Sequence, residues 1–376
     1  MHRPAVVVLA GIRWDFLWQR HQTLATRFAR AGYPTVFVET TGLANPSPSR
    51  ATLRRVLSRL GRSGGRGEKP RGEPGPTVYA PLAAPPTLGA FRWANTRVFL
   101  PRLLRDLRMM VGPRPVVVAY PPTRTTLDLI SGLDPRLVLY DCSDDYERFP
   151  GAPKDIRATE RELLGLADLV SCTSNHLLQK VKPLRPDAFL SGPAVDYERF
   201  AVLQDPRPVE EVRTVCFFGH VSRERIDFSA LRAVAGAGFV VRLVGGLGRV
   251  ERDFLKTSGV EYRGEISHAE LPAALRGADA FVLPYRINGL TRGISPAKTY
   301  ECLATGKPVV AAPLPTMEEL AGHVYLARRP EDYVEALRSL GETETGERVR
   351  ARIEVARNNS WDARFAGLEE ALWRVL

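Results

Sequence analysis

The stretch Thr291-Arg292-Gly293-Ile294-Ser295-Pro296-Ala297-Lys298-Thr299-Tyr300-Glu301-Cys302-Leu303-Ala304-Thr305-Gly306-Lys307-Pro308-Val309-Val310 decides how the chain reads. A glycine-containing turn leads into Ser295 and Pro296, residue types that open a helix. Gly306 closes that helix, and Pro308–Ala311 follows as a strand. The helix start presents free backbone N–H groups and the positive end of the helix dipole, a place that suits a diphosphate. Lys298 adds a charge in the first turn. Glu301 follows one turn later on the same face. A carboxylate repels phosphate, but it accepts two hydrogen bonds from ribose hydroxyls.

Outward from this stretch, apolar runs alternate with helical spacing. Pro4–Ala10, Thr35–Glu39, Pro115–Tyr120, Leu137–Asp141, Leu169–Thr173 and Ala188–Ser191 read as strands, with helices at Trp18–Gly32, Arg157–Gly165 and Asn175–Val181. A second series runs through strands Thr214–Phe218, Val240–Gly245, Val260–Tyr262, Ala280–Pro284 and Pro308–Ala311, with a helix at Ile226–Ala237. Strand–helix–strand repeats build parallel sheets. The expected fold is therefore α/β, with two doubly wound Rossmann-like domains. Ligands of such sheets bind beyond the carboxyl ends of the strands, and two facing domains would place the site in the cleft between them. The expected boundaries are 1–195 for the first domain, 196–212 for a proline-rich linker, 213–358 for the second domain, and 359–376 for a terminal helix crossing back to the first.

The stretch around Glu301 resembles the donor-binding signature of GT-B glycosyltransferases of the large retaining family 4 type. Within them it resembles the subgroup with an S-P-x-K-x-x-E-x-x-A-x-G-K-P-V pattern, whose members build surface polysaccharides, teichuronic-type polymers and some glycosylated natural products. The broader family carries a pair of glutamates. Glu301 matches the second, while the first falls on Gly293, so this chain lacks it. Three further segments agree in order and spacing. Gly11-Ile12-Arg13-Trp14-Asp15-Phe16-Leu17-Trp18-Gln19-Arg20 resembles the subgroup's W-D-x-x-W-Q-R opening. Tyr140-Asp141-Cys142-Ser143-Asp144-Asp145 lies at a strand end. Phe218-Gly219-His220-Val221-Ser222-Arg223-Glu224-Arg225 follows the first strand of the second domain.

The resemblance implies a metal-independent, retaining sugar transfer from a UDP-, GDP- or dTDP-sugar, with no cofactor. It implies donor contacts from Gly219, His220, Arg225, Arg263, Gly264, Arg292, Gly293, Ile294, Ser295, Pro296, Lys298 and Glu301. Arg225, Lys298, Glu301 and Asp15 are the expected catalytic residues, and Gly11, Arg13, Trp14, Asp15, Asp144 and Asp145 face the acceptor. That acceptor would be a surface polysaccharide, a lipid-linked intermediate or a natural-product aglycone. Asp141, Asp144 and Asp145 crowd together like a metal-binding D-x-D, but they read as helix capping and acceptor-side polarity. Two alternatives stand beside the transferase: a non-catalytic GT-B subunit that binds nucleotide-sugar, and a nucleotide-sugar epimerase on the same fold.

Composition narrows the remaining classes. The net charge of +11 divides unevenly, with +12 on residues 1–195 and −1 on residues 196–376. The first half thus expects an anionic partner: a phosphate-bearing substrate or an anionic membrane surface. No nucleic-acid motif accompanies the charge, so nucleic acid is not expected. Ser49–Leu60 and Arg97–Met110 have the pattern of basic amphipathic helices, which either lie on anionic lipid or turn their leucines to the core. Asn45–Pro76 ends in a Gly/Arg-rich run unable to bury a core and is expected to be a mobile loop. Cys142, Cys172, Cys216 and Cys302 form no CxxC pair and read as buried free thiols. The short apolar run Ala5–Ala10 lacks signal-peptide flanks, and no run approaches the roughly 18–20 residues of a spanning helix. The expected location is the cytoplasm, with the inner membrane face as a docking surface.

Overall fold

The computed structural model describes residues 3–15, 18–39, 75–81, 93, 95–149, 152–250, 253–267, 269–289, 291 and 296–376. Two compact units emerge: Met1–Ser191 with Phe365–Leu376, and Gly192–Arg364.

The first unit runs β1 (Val6–Ala10), α1 (Arg20–Arg30), β2 (Thr35–Glu39), β3 (Thr77–Tyr79), α2 (Leu100–Val111), β4 (Val116–Ala119), α3 (Arg124–Leu133), β5 (Leu137–Cys142), α4 (Ile156–Leu166), β6 (Leu169–Cys172), α5 (Asn175–Val181) and β7 (Phe189–Leu190). The sheet order is β3-β2-β1-β4-β5-β6-β7, every pair parallel. Strand β1 is apolar at every position, and all five residues are fully buried. That is what a central parallel strand covered on both faces requires. The order reverses between β1 and β4, so the switch point lies beyond their carboxyl ends.

The second unit runs α6 (Tyr197–Ala201), β8 (Thr214–Phe218), α7 (Phe228–Gly236), β9 (Val240–Val244), β10 (Val260–Tyr262), α8 (Leu271–Leu275), β11 (Ala280–Leu283), α9 (Lys298–Ala304), β12 (Val309–Ala311), α10 (Pro315–Glu318), β13 (Tyr325–Leu326), α11 (Pro330–Thr343) and α12 (Gly346–Asn358). Helix α13 (Trp361–Val375) follows, and from Phe365 onward its residues belong to the first unit. The parallel sheet has the order β10-β9-β8-β11-β12-β13, with its switch point between β8 and β11.

Several expectations need revision. The segment 196–212 is not a free linker. It contains α6, whose Phe200 is fully buried in the second core, and the unit boundary falls at Ser191/Gly192. Two aromatic residues three apart, Tyr197 and Phe200, were a faint signal beside the prolines. Strands β3 and β13 lie outside the strands that the sequence marks. The stretch Arg97–Met110 forms α2, preceded by a π-helical turn at Asn95–Phe99. Leu103 and Leu107 are buried in the first core while Arg102, Arg105 and Arg108 stay exposed, so the leucine face is turned inward. The amphipathic stretch Ser49–Leu60, and all of the loop 45–76 except its last two residues, lie outside the described residues. No helix among the described residues is long and apolar enough to cross a membrane. All four cysteines are free and buried.

The first core also holds a buried polar cluster. Arg20 Nε donates to Asp141 Oδ2 at 2.6 Å and Arg20 Nη2 to Ser191 Oγ at 2.9 Å, while Ser171 Oγ donates to Asp141 Oδ1 at 2.6 Å. His21 lies beside this pair with its ring 3.8 Å from that of Tyr120, and its Nδ1 has no hydrogen-bond partner among the described residues. Burial lowers the His21 pKa to about 4, against a weaker pull upward from Asp141. The unfolded chain binds that proton below about pH 6.5, the folded chain only below about 4. Stability therefore rises with pH across this window, and up to about 3 kcal/mol is lost on acidification through it. In urea titrations at pH 7 and pH 5, a His21→Gln variant should lose less stability on acidification than the wild type. Equal losses would show that His21 is not the acid-sensitive group.

Candidate functional site

The second sheet ends in a row of glycines. Gly219 follows β8, Gly245 follows β9, and Gly264 lies just beyond β10, with φ of 113°, 128° and 81°. These angles fall in the left-handed region that glycine alone enters without strain. The loops they open are bonded to one another. Gly219 N–H donates to Val244 O at 2.8 Å, Val221 N–H to Gly246 O at 2.9 Å, and Gly245 N–H to Gly264 O at 2.7 Å. A Cβ on Gly245 would lie 2.3 Å from Gly219 O. The two backbones touch, and the surface they form carries no side chain of its own.

Lys298, the first residue of α9, reaches over this surface. A Cβ on Gly219 would lie 2.8 Å from Lys298 Nζ, so the ammonium rests directly against the end of β8. Desolvation pulls the Lys298 pKa down, but the Tyr285 hydroxyl and the Glu301 carboxylate outweigh it, and the net shift is upward. The ammonium is thus firmly protonated at neutral pH. Glu301 is partly buried, and its N–H donates to Ala297 O in the first turn. The helix starts two to three residues later than the serine–proline pair suggested, with Ala297 at its N-cap and no side-chain cap. Arg292, Gly293, Ile294 and Ser295 lie outside the described residues; Pro296 accepts the Thr299 N–H at 3.0 Å.

Across the switch point, Arg225 lies in a loop stitched to the segment after β11. Arg286 N–H donates to Arg225 O at 2.8 Å and Asp227 N–H to Pro284 O at 2.7 Å. Arg225 is exposed, and this stitching brings it alongside Tyr285, the residue that touches Lys298. Tyr285 and Arg286 were missed in the sequence. Their only signal is position, immediately after the strand that neighbours β8. Thr291, fully buried, closes this loop by accepting the Asn288 N–H at 3.0 Å. His220 is exposed and lies over Gly248, where a Cβ would sit 2.6 Å from its Nε2.

Arg263 follows β10. Its N–H donates to Leu243 O at 2.9 Å, and its exposed guanidinium pairs with Glu261 at 2.8 Å. Gly264 does line the glycine row, through the carbonyl that receives Gly245 N–H.

In the first unit, Gly11 lies against Pro121 at the β1/β4 switch point. Arg13 and Asp15 pair with each other at 2.7 Å in an exposed bridge. Trp14 packs edge-on to Phe37 at 5.0 Å and to Trp18 at 5.3 Å, and its N–H donates to Glu39 at 2.8 Å. Gln22, fully buried, accepts the Gln19 N–H at 3.0 Å and donates to Arg13 O at 3.3 Å, fixing this loop from below. Trp14 is thus a packing residue, while Arg13 and Asp15 remain at the surface. Asp141, inside β5, and Asp145, after it, do not act as side-chain helix caps. Asp141 belongs to the buried pair with Arg20, and Asp145 accepts from Lys180 at 2.7 Å and Arg148 at 2.9 Å without capping the turn that follows it. Asp144 Oδ2 accepts from Ser143 at 3.4 Å.

Comparison with known proteins gives these arrangements a context. Residues 213–342 match the family model for glycosyl transferases group 1. Over its full length the chain superposes on the Anabaena protein Alr3699/HepE in complex with UDP-glucose, with a TM-score of 0.66, 11% identity, and 98% of this chain and 99% of that one covered. The fold is GT-B, with two parallel-sheet α/β Rossmann-like domains. It is also similar to a UDP-N-acetylglucosamine 2-epimerase, provisionally so named, from Listeria monocytogenes, with a TM-score of 0.56, 11% identity, and 97% and 94% covered. In sequence it is 26% identical over 260 residues to a Bacillus subtilis (strain 168) protein provisionally named teichuronic acid biosynthesis glycosyltransferase TuaH. That match takes in 61% of this chain and 64% of the relative, just under two thirds of its length.

The glycine row yields a direct test. Gly245→Ala forces a Cβ into Gly219 O and strains a left-handed backbone, a cost of about 1–3 kcal/mol from strain alone. Gly236→Ala, at the end of α7 with nothing within 4 Å of the new carbon, should be neutral or stabilising by up to about 1 kcal/mol. Thermal melts that fail to separate the two variants would contradict the close contact of the two loops.

Proposed function

We propose that the chain is a glycosyltransferase that moves a sugar from a nucleoside-diphosphate sugar to an acceptor bound by the first domain. The observation that carries this reading is the Lys298 ammonium resting on the side-chain-free surface at Gly219, at the switch point of the domain that matches the group 1 transferases. A diphosphate fits such a place: backbone can approach it closely, and a protonated amine faces it. Arg225 supplies a second, exposed cation across the switch point. Glu301, one turn beyond Lys298, takes the ribose hydroxyls.

The chemistry is charge stabilisation of a leaving group. The bond from the sugar's anomeric carbon to the diphosphate oxygen breaks, and the electron pair stays on the diphosphate beside Lys298 and Arg225. The acceptor hydroxyl forms the new bond and gives up its proton to the departing diphosphate. This route retains the anomeric configuration and needs no metal ion. Arg13, Asp15 and Asp144 are proposed acceptor-side residues; Asp145 and Trp14 are assigned to structure.

The competing reading is epimerisation, favoured by the likeness to the Listeria protein. A thermal-shift screen of UDP-, GDP- and dTDP-sugars in EDTA should find one donor class that stabilises the protein markedly. Glu301→Ala should weaken that donor about tenfold or more, the loss of a charge-assisted hydrogen-bond pair. Incubation of the selected donor without acceptor, followed by proton NMR, should show slow release of free sugar and no epimer. Epimer formation, or an unchanged affinity in Glu301→Ala, would sink the assignment.

A further inference from the structure

Helix α9 is only seven residues long, too short to hold its own position in water. Its location is imposed from outside, by burial of Thr299, Cys302, Leu303 and Ala304 in the second core and by a polar clamp at its carboxyl end. There Gly306, with φ of 75°, turns the chain out of the helix toward β12. Arg352 of α12 donates from Nε to Gly306 O at 2.9 Å. The rest of its guanidinium is held by Glu344, with Nη1 donating to Oε1 at 2.9 Å and Nη2 to Oε2. Both side chains are completely buried. Tyr325 adds a hydrogen bond to Glu344 Oε1 at 2.7 Å. A Cβ on Gly306 would sit 3.0 Å from Val349 and 3.1 Å from Ile353, so α12 closes on this turn by packing as well.

Stability alone gives no reason for such a pair. Taking two charges out of water is expensive, and replacing a buried ion pair by apolar side chains of similar volume is often neutral or stabilising. What the pair has and apolar side chains lack is direction. Glu344 clamps the guanidinium fork in one orientation, and the remaining N–H then fixes the height of Gly306 O. A shift of that carbonyl moves the whole short helix, and with it the Lys298 ammonium that rests on Gly219 at the other end.

We infer that the buried Arg352–Glu344 pair is a positioning device that holds α9 at the height where Lys298 meets the donor diphosphate. The inference rests on the functional reading above for its consequence, but not for its geometry. The test is the double variant Arg352→Met/Glu344→Leu, with two readouts. Hydrogen exchange of the amides in Lys298–Gly306 should speed up at least tenfold while the melting temperature stays within a few degrees of wild type. The dissociation constant for the preferred diphosphate among UDP, GDP and dTDP, measured by calorimetry, should rise at least fivefold. A merely structural pair would alter melting and leave affinity alone. Unchanged exchange in α9 overturns the inference whatever the ligand, and so does unchanged diphosphate affinity in a wild type that binds. A wild type that binds none of the three diphosphates contradicts the functional reading, and the exchange result still decides the positioning role. Arg352→Lys, which keeps a cation opposite Glu344 without the fixed fork, serves the same readouts where the double variant melts too early.

Discussion

Two polypeptide backbones meet at Gly219 and Gly245 with no room between them for a methyl group, and the rest of the second domain is arranged around that contact. Parallel pairing of β8 with β9 brings both strands to the same edge in register. The crossovers on either side of β8 open a gap at that edge. The glycines leave the gap free of side chains, and α9 places one cation above it. A site assembled this way offers backbone and a single ammonium, which suits a ligand that is polar, flat in profile and negatively charged.

The charge distribution adds a second layer to this picture. The second half of the chain is nearly neutral, and Lys298 rests on Gly219 at its switch point, while the backbones of Arg225 and Arg286 are hydrogen-bonded to each other. Glu301, one helical turn from Lys298, helps to hold its ammonium charged. The first half carries the excess of positive charge, but many of its arginines are already engaged. Arg20 is engaged with Asp141, Arg13 with Asp15, and Arg185 with Asp187. Arg102 and Arg105 on α2 are exposed on the side of that helix away from its buried leucines, and Arg105 pairs with the adjacent Asp106 at 3.7 Å.

Much of this was legible in the sequence because it depends on local pattern. Val6-Val7-Val8-Leu9 can only be a strand covered on both faces, and the repetition of such runs gives the two sheets. The spacing of Lys298 and Glu301 puts them on one face of a helix however that helix begins. What was not legible depends on contacts between distant segments. Tyr285 and Arg286 join the site only because β11 neighbours β8. The contacts of Arg263, with its amide bonded to Leu243 and its guanidinium paired with Glu261, likewise follow from sheet pairing. Asp141 and Asp145 read as caps and acceptor-side polarity in the sequence, and their pairing with Arg20, Lys180 and Arg148 depends on segments far from them in the chain or on side-chain geometry that spacing does not show. Phe200 belongs to the second core although the prolines around it suggested a linker. Arg352 on α12 and Glu344 in the turn before it are two charged residues with nothing in their spacing to mark a buried pair.

The proposed role of Lys298 is to bind the diphosphate of a nucleotide-sugar. Calorimetric titration of the wild type and of Lys298→Met with the preferred nucleoside diphosphate, and with the corresponding nucleoside, tests it most directly. The wild type should bind the diphosphate far more tightly than the nucleoside, and Lys298→Met should lose at least tenfold of that preference while its affinity for the nucleoside stays the same. An unchanged diphosphate affinity in Lys298→Met would contradict it.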